Sequence, residues 1–181
     1  MRISFYILVI SVGFIFADSL SFEIDASNAK TYEDSYEKAI DFRIDGDYNK
    51  SLSILLQIEA FHIKSTYVIA EIYLNEVKNP NIALDYYRQV VGRTLSWREA
   101  DKDLSLEYKN LYRKSLFMIS YIYSNYLGMY SDAYNSFLYF MEIFPDDELI
   151  ESVKYEIELL KPFEEDKNII IGRDNGWYFR F

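Results

Sequence analysis

The stretch that decides the fold is GMYSDAYNSFLYFMEIFP, which runs from Gly128 to Pro145. Gly128 permits a tight turn because it has no Cβ atom, and the small side chain of Ala133 lets two helices approach closely. Steps of 4 and 3 residues lead from Ala133 to Phe137 and Phe140, so these side chains share one helical face. Pro145 then ends the helix. The stretch therefore predicts a turn followed by the second helix of an antiparallel helical hairpin.

Helical periodicity predicts three such hairpins, because apolar residues recur at spacings of three and four residues on both sides of a turn signal. The turn signals are Asp45-Gly46-Asp47, Asn79-Pro80-Asn81 and Gly128. Small side chains mark corresponding places in the two helices of each hairpin: Ala39 and Ser51, Ala70 and Ala83, and Ser120 and Ala133. We expect these six positions to lie where helices pack closely.

This pattern resembles the tetratricopeptide repeat, and a large side chain follows each small one at a fixed distance. These followers are Phe42, Tyr73 and Tyr123 in the first helices, and Leu55, Tyr87 and Phe137 in the second helices. The Sel1-like repeat, a related short helical repeat, is the alternative for the middle unit. The resemblance implies an all-α fold, with antiparallel helical hairpins stacked as a short solenoid over residues 31–161.

Three segments depart from the repeat. Residues 92–107 are an insertion that the sequence allows to be either a loop or a helical extension. A final amphipathic helix after Pro145 is expected to cap the solenoid. Residues 162–181 form a tail that reads as a short β-like hairpin around Asn175-Gly176. The tail is expected to dock on the solenoid or on a partner through its apolar side chains, namely Ile170, Trp177, Tyr178, Phe179 and Phe181.

The N-terminus predicts export. Arg2 precedes an apolar run from Ile3 to Phe16, and small Ala17 follows it, which is typical of a secretory signal peptide over residues 1–17. Residues 18–30 are then expected to be a flexible arm, and the mature protein is expected in the periplasm without an integral membrane span. The alternative is a membrane anchor through an uncleaved N-terminus, although the run is short of the roughly 20 apolar residues that a span needs.

Composition argues against several classes of function. The formal net charge of -10 disfavours nucleic acid as a partner, because phosphate contacts need clustered Lys and Arg. The chain has no Cys, which excludes disulfides and thiolate zinc sites. Asp45, Asp47 and Asn49 imitate the start of a calcium loop, but Leu56 stands where the bidentate glutamate belongs, so a helix start is the better interpretation. His62, the only histidine, has no recognisable nucleophile or metal ligands around it in the sequence.

No motif supplies a catalytic set, a metal site or a cofactor site, so we expect a protein that is not an enzyme. The resemblance implies a groove, lined by the first helices, that binds other envelope proteins or their peptide segments. Carried over by position, the groove residues are Tyr36, Ile40, Arg43, Tyr67, Glu71, Asn75, Lys114, Phe117, Tyr121 and Asn125.

Exported repeat proteins of spirochaetes that help assemble the periplasmic flagellar motor are similar in size and type. The expected function is therefore a non-catalytic scaffold in an envelope assembly. The alternative is an accessory factor of cell-wall or outer-membrane assembly that binds a client polypeptide or stacks glycan on Trp97 and Trp177.

Overall fold

The computed structural model describes residues 30–99 and 105–163. The expected signal peptide, most of the expected arm, and the tail residues from 164 onward, including all five docking residues, lie outside the described residues. The chain divides into two compact units, Met1–Ser65 and Thr66–Phe181.

All regular structure within the two described ranges is helical, which confirms the all-α class for these residues. The helices are α1 (30–44), α2 (Tyr48–Ile58), α3 (Ile63–Asn75), α4 (Pro80–Glu99), α5 (Leu106–Asn125), α6 (Tyr130–Ile143) and α7 (Ile150–Leu160), and a 3-10 turn follows at Lys161–Phe163.

The first unit contains the hairpin of α1 and α2. Gly46 turns the chain with φ of +79°, a left-handed conformation that glycine adopts without strain. Asp47 caps α2, because its carboxylate accepts a hydrogen bond of 3.2 Å from the backbone N–H of Lys50. This observation agrees with a helix start rather than a calcium loop. The small residues Ala39 and Ser51 are fully buried, as expected.

The second unit begins at Thr66, within α3. It contains most of the α3–α4 hairpin and all of the α5–α6 hairpin, and the turns of these two hairpins are alike. The backbone N–H of Asn79 donates to the carbonyl of Tyr73 at 2.8 Å, and Met129 donates to Tyr123 in the same way at 2.9 Å. The N–H groups of Val77 and Leu127 bond to the carbonyls of Ile72 and Ile122, both at 3.1 Å or less. Each residue of the second turn therefore stands 50 positions after its counterpart in the first, as Ala133 stands after Ala83.

The buried face of the two hairpins follows the same offset. Tyr67 packs edge-on against Tyr87 with ring centroids 5.5 Å apart, and the corresponding Phe117 and Phe137 pack edge-on at 5.9 Å. Residue types recur in the first helices, in the pairs Ser65 and Ser115, Ile69 and Ile119, Ile72 and Ile122, Tyr73 and Tyr123, and Asn75 and Asn125. The second unit thus contains two structurally equivalent helical hairpins, whose inner helices α4 and α5 pack against each other.

The two turns differ in sequence, but both contain a left-handed residue at the same position. Lys78 has φ of 59° and the equivalent Gly128 has φ of 64°. A left-handed backbone costs a residue with a Cβ atom about 1–2 kcal/mol, whereas glycine adopts it freely. The α3–α4 turn therefore stores strain that the α5–α6 turn avoids.

Replacing Lys78 with glycine is expected to raise the free energy of unfolding by about 0.5–1 kcal/mol, because the relief of strain exceeds the added flexibility of the unfolded chain. Chemical denaturation measures this change. The matched control is Lys109→Gly at an exposed site of α5, which should instead lower the free energy of unfolding by about 0.7 kcal/mol. A Lys78→Gly variant that is as destabilised as the control would contradict the left-handed turn.

The expected insertion is helical in its described residues except at Ser105, which caps the start of α5. Residues 92–99 extend α4, and α5 begins at Leu106. α4 is longer than its counterpart α6 at its C-terminal end, and α5 is longer than its counterpart α3 at its N-terminal end. These two ends lie next to each other. Trp97 of α4 packs against Tyr108 of α5 with ring centroids 5.3 Å apart, which joins the two extensions.

The last helix, α7, packs against α6 through one apolar face, on which Ile150, Val153 and Leu160 are buried. Pro162 lies in the 3-10 turn that ends this helix. Among the residues described, none of the helices combines the length and apolar character that crossing a membrane requires.

Candidate partner-binding surface

The four groove residues expected on α5 lie along one strip of that helix. Lys114 and Asn125 are exposed, and Phe117 and Tyr121 are half-buried. The opposite side of α5 is buried in the core of the second unit, which leaves this strip as a solvent-accessible side of the helix. The strip is therefore accessible to solvent on this side of α5, and its binding of a partner stays a prediction.

Aromatic rings continue this strip to the end of the helix. Phe117 stacks on Tyr121 with ring centroids 6.5 Å apart, and Tyr121 packs edge-on against Tyr126 at 6.0 Å. Tyr126 is 44% exposed. Repeat spacing did not indicate Tyr126, because a residue five positions after Tyr121 does not share its helical face and the contact depends on where α5 ends. We call Lys114, Phe117, Tyr121, Asn125 and Tyr126 the α5 strip.

Phe117 is less available than the resemblance implies. Its ring packs edge-on against both Phe137 and Phe140, each at 5.9 Å, so it holds the α5–α6 hairpin together. The equivalent Tyr67 contacts Tyr87 in the same manner. Phe117 and Tyr67 therefore have a packing role. The more exposed residues of the strip would supply most of the contact with a partner.

The expected groove residues of α3 occupy the same places in their own hairpin. Tyr67 and Glu71 are half-buried, and Asn75 is exposed at the end of the helix. Glu71 stands where α5 has Tyr121, so the two strips differ in charge at their centre. Repetition of the strip on equivalent helices is the arrangement that a repeat groove requires, although the residue types at its centre are not repeated.

The expected groove residues of α1 belong to the first unit. Tyr36, Ile40 and Arg43 are half-buried there. Tyr36 packs against the ring of His62, with centroids 4.8 Å apart, and the ammonium group of Lys64 lies 5.0 Å from its ring centroid. Tyr36 therefore takes part in the packing of its own unit.

His62 lies at the centre of a polar cluster that the sequence analysis did not foresee. Its Nδ1 atom lies 2.8 Å from the Ser65 hydroxyl, and its Nε2 atom lies 3.1 Å from the Glu33 carboxylate. Lys64 donates a hydrogen bond to the other oxygen of Glu33. The cluster lies within the first unit and joins α1 to residues 62–65, which include the first residues of α3.

In some hydrolases a serine nucleophile is activated by a histidine, which is in turn hydrogen-bonded to a carboxylate. Glu33, His62 and Ser65 are hydrogen-bonded in the same order. Here the side chain of Ser65 is fully buried and His62 is only 8% exposed. A substrate carbonyl cannot reach the Ser65 hydroxyl in this arrangement. The geometry therefore fits a structural cluster that fixes the start of α3, with both ring nitrogens of His62 hydrogen-bonded.

This cluster predicts a dependence of stability on pH. The hydrogen bond from Lys64 lowers the pKa of Glu33 below its usual value, partial burial opposes this effect, and the bond to His62 adds to it. A carboxylate with a lowered pKa stabilises the fold above its ordinary pKa, and this contribution disappears as the pH falls through the folded-state value.

We expect Glu33→Gln to lower the free energy of unfolding by less than about 1 kcal/mol at pH 7, because Glu33 is partly solvated. At pH 3 the difference between this variant and the parent should shrink. Urea denaturation at both pH values measures it, with Asp34→Gln as the exposed neighbouring control. A difference that is as large at pH 3 as at pH 7 would contradict the ion-pair origin.

Trp97, the residue expected to stack on glycan, is already engaged. Its ring contacts Tyr108, and the guanidinium carbon of Arg93 lies 5.7 Å from its ring centroid. The ring is half-buried. This geometry favours the packing role of Trp97 between α4 and α5, and Trp177 lies outside the described residues.

Across residues 30–99 and 105–163, no group of three or more His, Cys, Asp or Glu side chains is placed to hold a metal ion. Comparisons of the chain with protein-family models, curated proteins and solved structures found no match. The repeated hairpin and the surface that it exposes are therefore the features that bear on function.

Proposed function

We propose that this protein is a non-catalytic helical-repeat scaffold that binds a segment of another protein through the α5 strip. The observation that carries the proposal is the equivalence of α3–α4 and α5–α6. Two hairpins with the same turn hydrogen bonds and the same aromatic pair, 50 residues apart, support a tetratricopeptide-like repeat. Repeats of this kind present extended surfaces rather than a single enclosed pocket.

The chemistry of the α5 strip suggests what it binds. Tyr121 and Tyr126 provide accessible aromatic surface, and tyrosine is enriched among the residues that dominate protein interfaces. Lys114 and Asn125 stand at the two ends of the strip and can pair with a carboxylate and with backbone groups. A partner segment with an apolar or aromatic centre and an acidic residue toward Lys114 fits this surface.

The cellular setting is proposed from the N-terminal sequence. An exported scaffold would act in the periplasm on other envelope proteins, and the stacking of the hairpins into a short solenoid capped by α7 is part of the same proposal. The likeness to exported spirochaete repeat proteins makes the periplasmic flagellar motor the first assembly to test. Glycan binding is the weaker alternative, because Trp97 is packed against Tyr108 and Arg93.

Affinity capture from envelope extracts tests the proposal. The parent protein should retain a protein partner, and the double variant Tyr121→Ser/Asn125→Ala should bind that partner at least about tenfold more weakly, because a loss of about 1.4 kcal/mol or more is usual for central interface residues. The matched control is Leu106→Ser, an exposed apolar residue of the same helix about 22 Å away along its axis.

Retention of no protein by the parent, or equal retention by both variants, would contradict the proposed function. Sedimentation with peptidoglycan distinguishes the alternative. Binding to the wall without a protein partner would support glycan recognition instead.

A further inference from the structure

The outer face of α7 carries two large apolar side chains at the surface. Tyr155 is 65% exposed and Leu159 is 54% exposed within the part of the chain that the structure describes. They are four residues apart, so they lie on the same side of the helix. The opposite side, with Val153 and Leu160, is buried against α6. We call the surface formed by Tyr155 and Leu159 the α7 outer face.

Two ion pairs lie beside this face, one within α7 and one between α7 and the 3-10 turn that follows it. Lys154 pairs with Glu151 at 2.7 Å, and Lys161 pairs with Glu158 at 3.5 Å. Both pairs link residues that are three positions apart in the chain. Because these charges already have partners, the α7 outer face favours an apolar occupant over a strongly charged one.

A segment of suitable chemistry follows α7 directly in the chain. Residues 164–168 are mostly charged, and the segment 169–181 is rich in isoleucine and aromatic residues. Five extended residues reach about 16 Å, whereas Leu159 and Tyr155 lie about 6–12 Å of helix rise before Phe163. The connection is therefore long enough to return the segment to the α7 outer face without disturbing the helix.

We propose that the segment 169–181 docks on the α7 outer face of the same molecule. Every second residue of an extended segment points to the same side, so Trp177, Phe179 and Phe181 can meet one surface together. A two-stranded hairpin alone is marginally stable in water, and a surface with Tyr155 and Leu159 gives it an apolar support. This inference is independent of partner binding by the α5 strip.

Tryptophan fluorescence of the full chain tests the docking. The protein has two tryptophans, so Trp97→Phe leaves Trp177 as the sole tryptophan, and excitation at the long-wavelength edge of its absorption avoids emission from tyrosine. In this background, docking predicts blue-shifted emission and acrylamide quenching several-fold weaker than for the same protein in denaturant. The double variant Tyr155→Lys/Leu159→Lys should shift the emission to the red and restore strong quenching.

The matched control places the same two charges on other exposed apolar residues, as Val77→Lys/Leu106→Lys, and should leave the emission of Trp177 unchanged. Far-UV circular dichroism checks that each variant remains helical. If the double variant loses helicity, the single change Leu159→Lys gives the same test with less perturbation, and it should restore a part of the quenching.

Three results would overturn the proposal. The first is that acrylamide quenches Trp177 as strongly in the folded parent as in denaturant. The second is that the α7 substitutions leave the emission of Trp177 unchanged while the protein stays helical. Protection that disappears on dilution, together with dimers in sedimentation, would assign the α7 outer face to the tail of a second copy instead.

Discussion

Replacing Phe137 with alanine is expected to lower the free energy of unfolding of the second unit by about 4 kcal/mol. Phe137 is fully buried, and its ring packs edge-on against Phe117. Removing a buried aromatic ring loses the free energy of transfer from water and leaves a cavity, which together cost about 3–5 kcal/mol. Since domains are commonly stable by only about 5–15 kcal/mol, this is a large share of the total.

Because the two hairpins are equivalent, the corresponding aromatic residue of the α3–α4 hairpin should be similarly important for stability. Tyr87, which stands 50 residues before Phe137, is 1% exposed and packs against Tyr67, so Tyr87→Ala should cost a similar amount. Glu142→Ala, at an exposed site of α6, is the control and should stay within about 0.5 kcal/mol of the parent. Thermal and urea denaturation measure all three. A cost below about 1 kcal/mol for Phe137→Ala would contradict its place in the core.

Replacing Arg113 with methionine is expected to lower the free energy of unfolding by about 3 kcal/mol. One terminal nitrogen of Arg113 donates to both carboxylate oxygens of Asp147, at 2.9 and 2.8 Å. The side chains are 17% and 7% exposed, so removing the cation leaves a nearly buried carboxylate without its charge partner. The same carboxylate accepts the backbone N–H of Leu149, at the start of α7.

A double-mutant cycle isolates this interaction. Arg113→Met/Asp147→Leu should be more stable than Arg113→Met alone, because the second change removes the stranded carboxylate. Arg113→Lys serves as the conservative variant and should retain part of the stability, since lysine keeps the charge but not the guanidinium geometry. Purely additive effects would show that the two side chains do not interact in solution.

Local sequence signals predicted the hairpins well. The six small residues proposed for close packing, from Ala39 to Ala133, are all fully buried. Glycine positions predicted the turns at Gly46 and Gly128, because left-handed backbone conformations favour glycine. Lys78 shows the limit of that rule, since the same conformation occurs there without a glycine.

The helical extension of α4 was less predictable because Gly92 suggested a break. Gly92 instead lies on the exposed side of the helix, where it weakens the helix without ending it. Val91, Thr94 and Leu95 continue the buried face beyond it. Tertiary packing against α5 therefore overrides the local signal.

Polar contacts between residues that are far apart in the chain could not be predicted from the sequence. Glu33 and His62 are 29 residues apart, and Arg113 and Asp147 are 34 apart. No short motif relates these residues, and only the packing of helices brings them together. The candidate site shows the same limit. Four of the five positions of the α5 strip followed from repeat spacing, whereas Tyr126 and the contact of Phe117 with Phe137 did not.

Site-specific photo-crosslinking tests the central claim, which is partner binding through the α5 strip, most directly. A benzoylphenylalanine residue in place of Tyr121 should form a light-dependent adduct with a protein of the envelope extract. An excess of parent protein should compete for that adduct, whereas the Tyr121→Ser/Asn125→Ala protein should not. The same probe in place of Leu106 should give no such adduct. No protein adduct at position 121, or an equal adduct at position 106, would contradict the account.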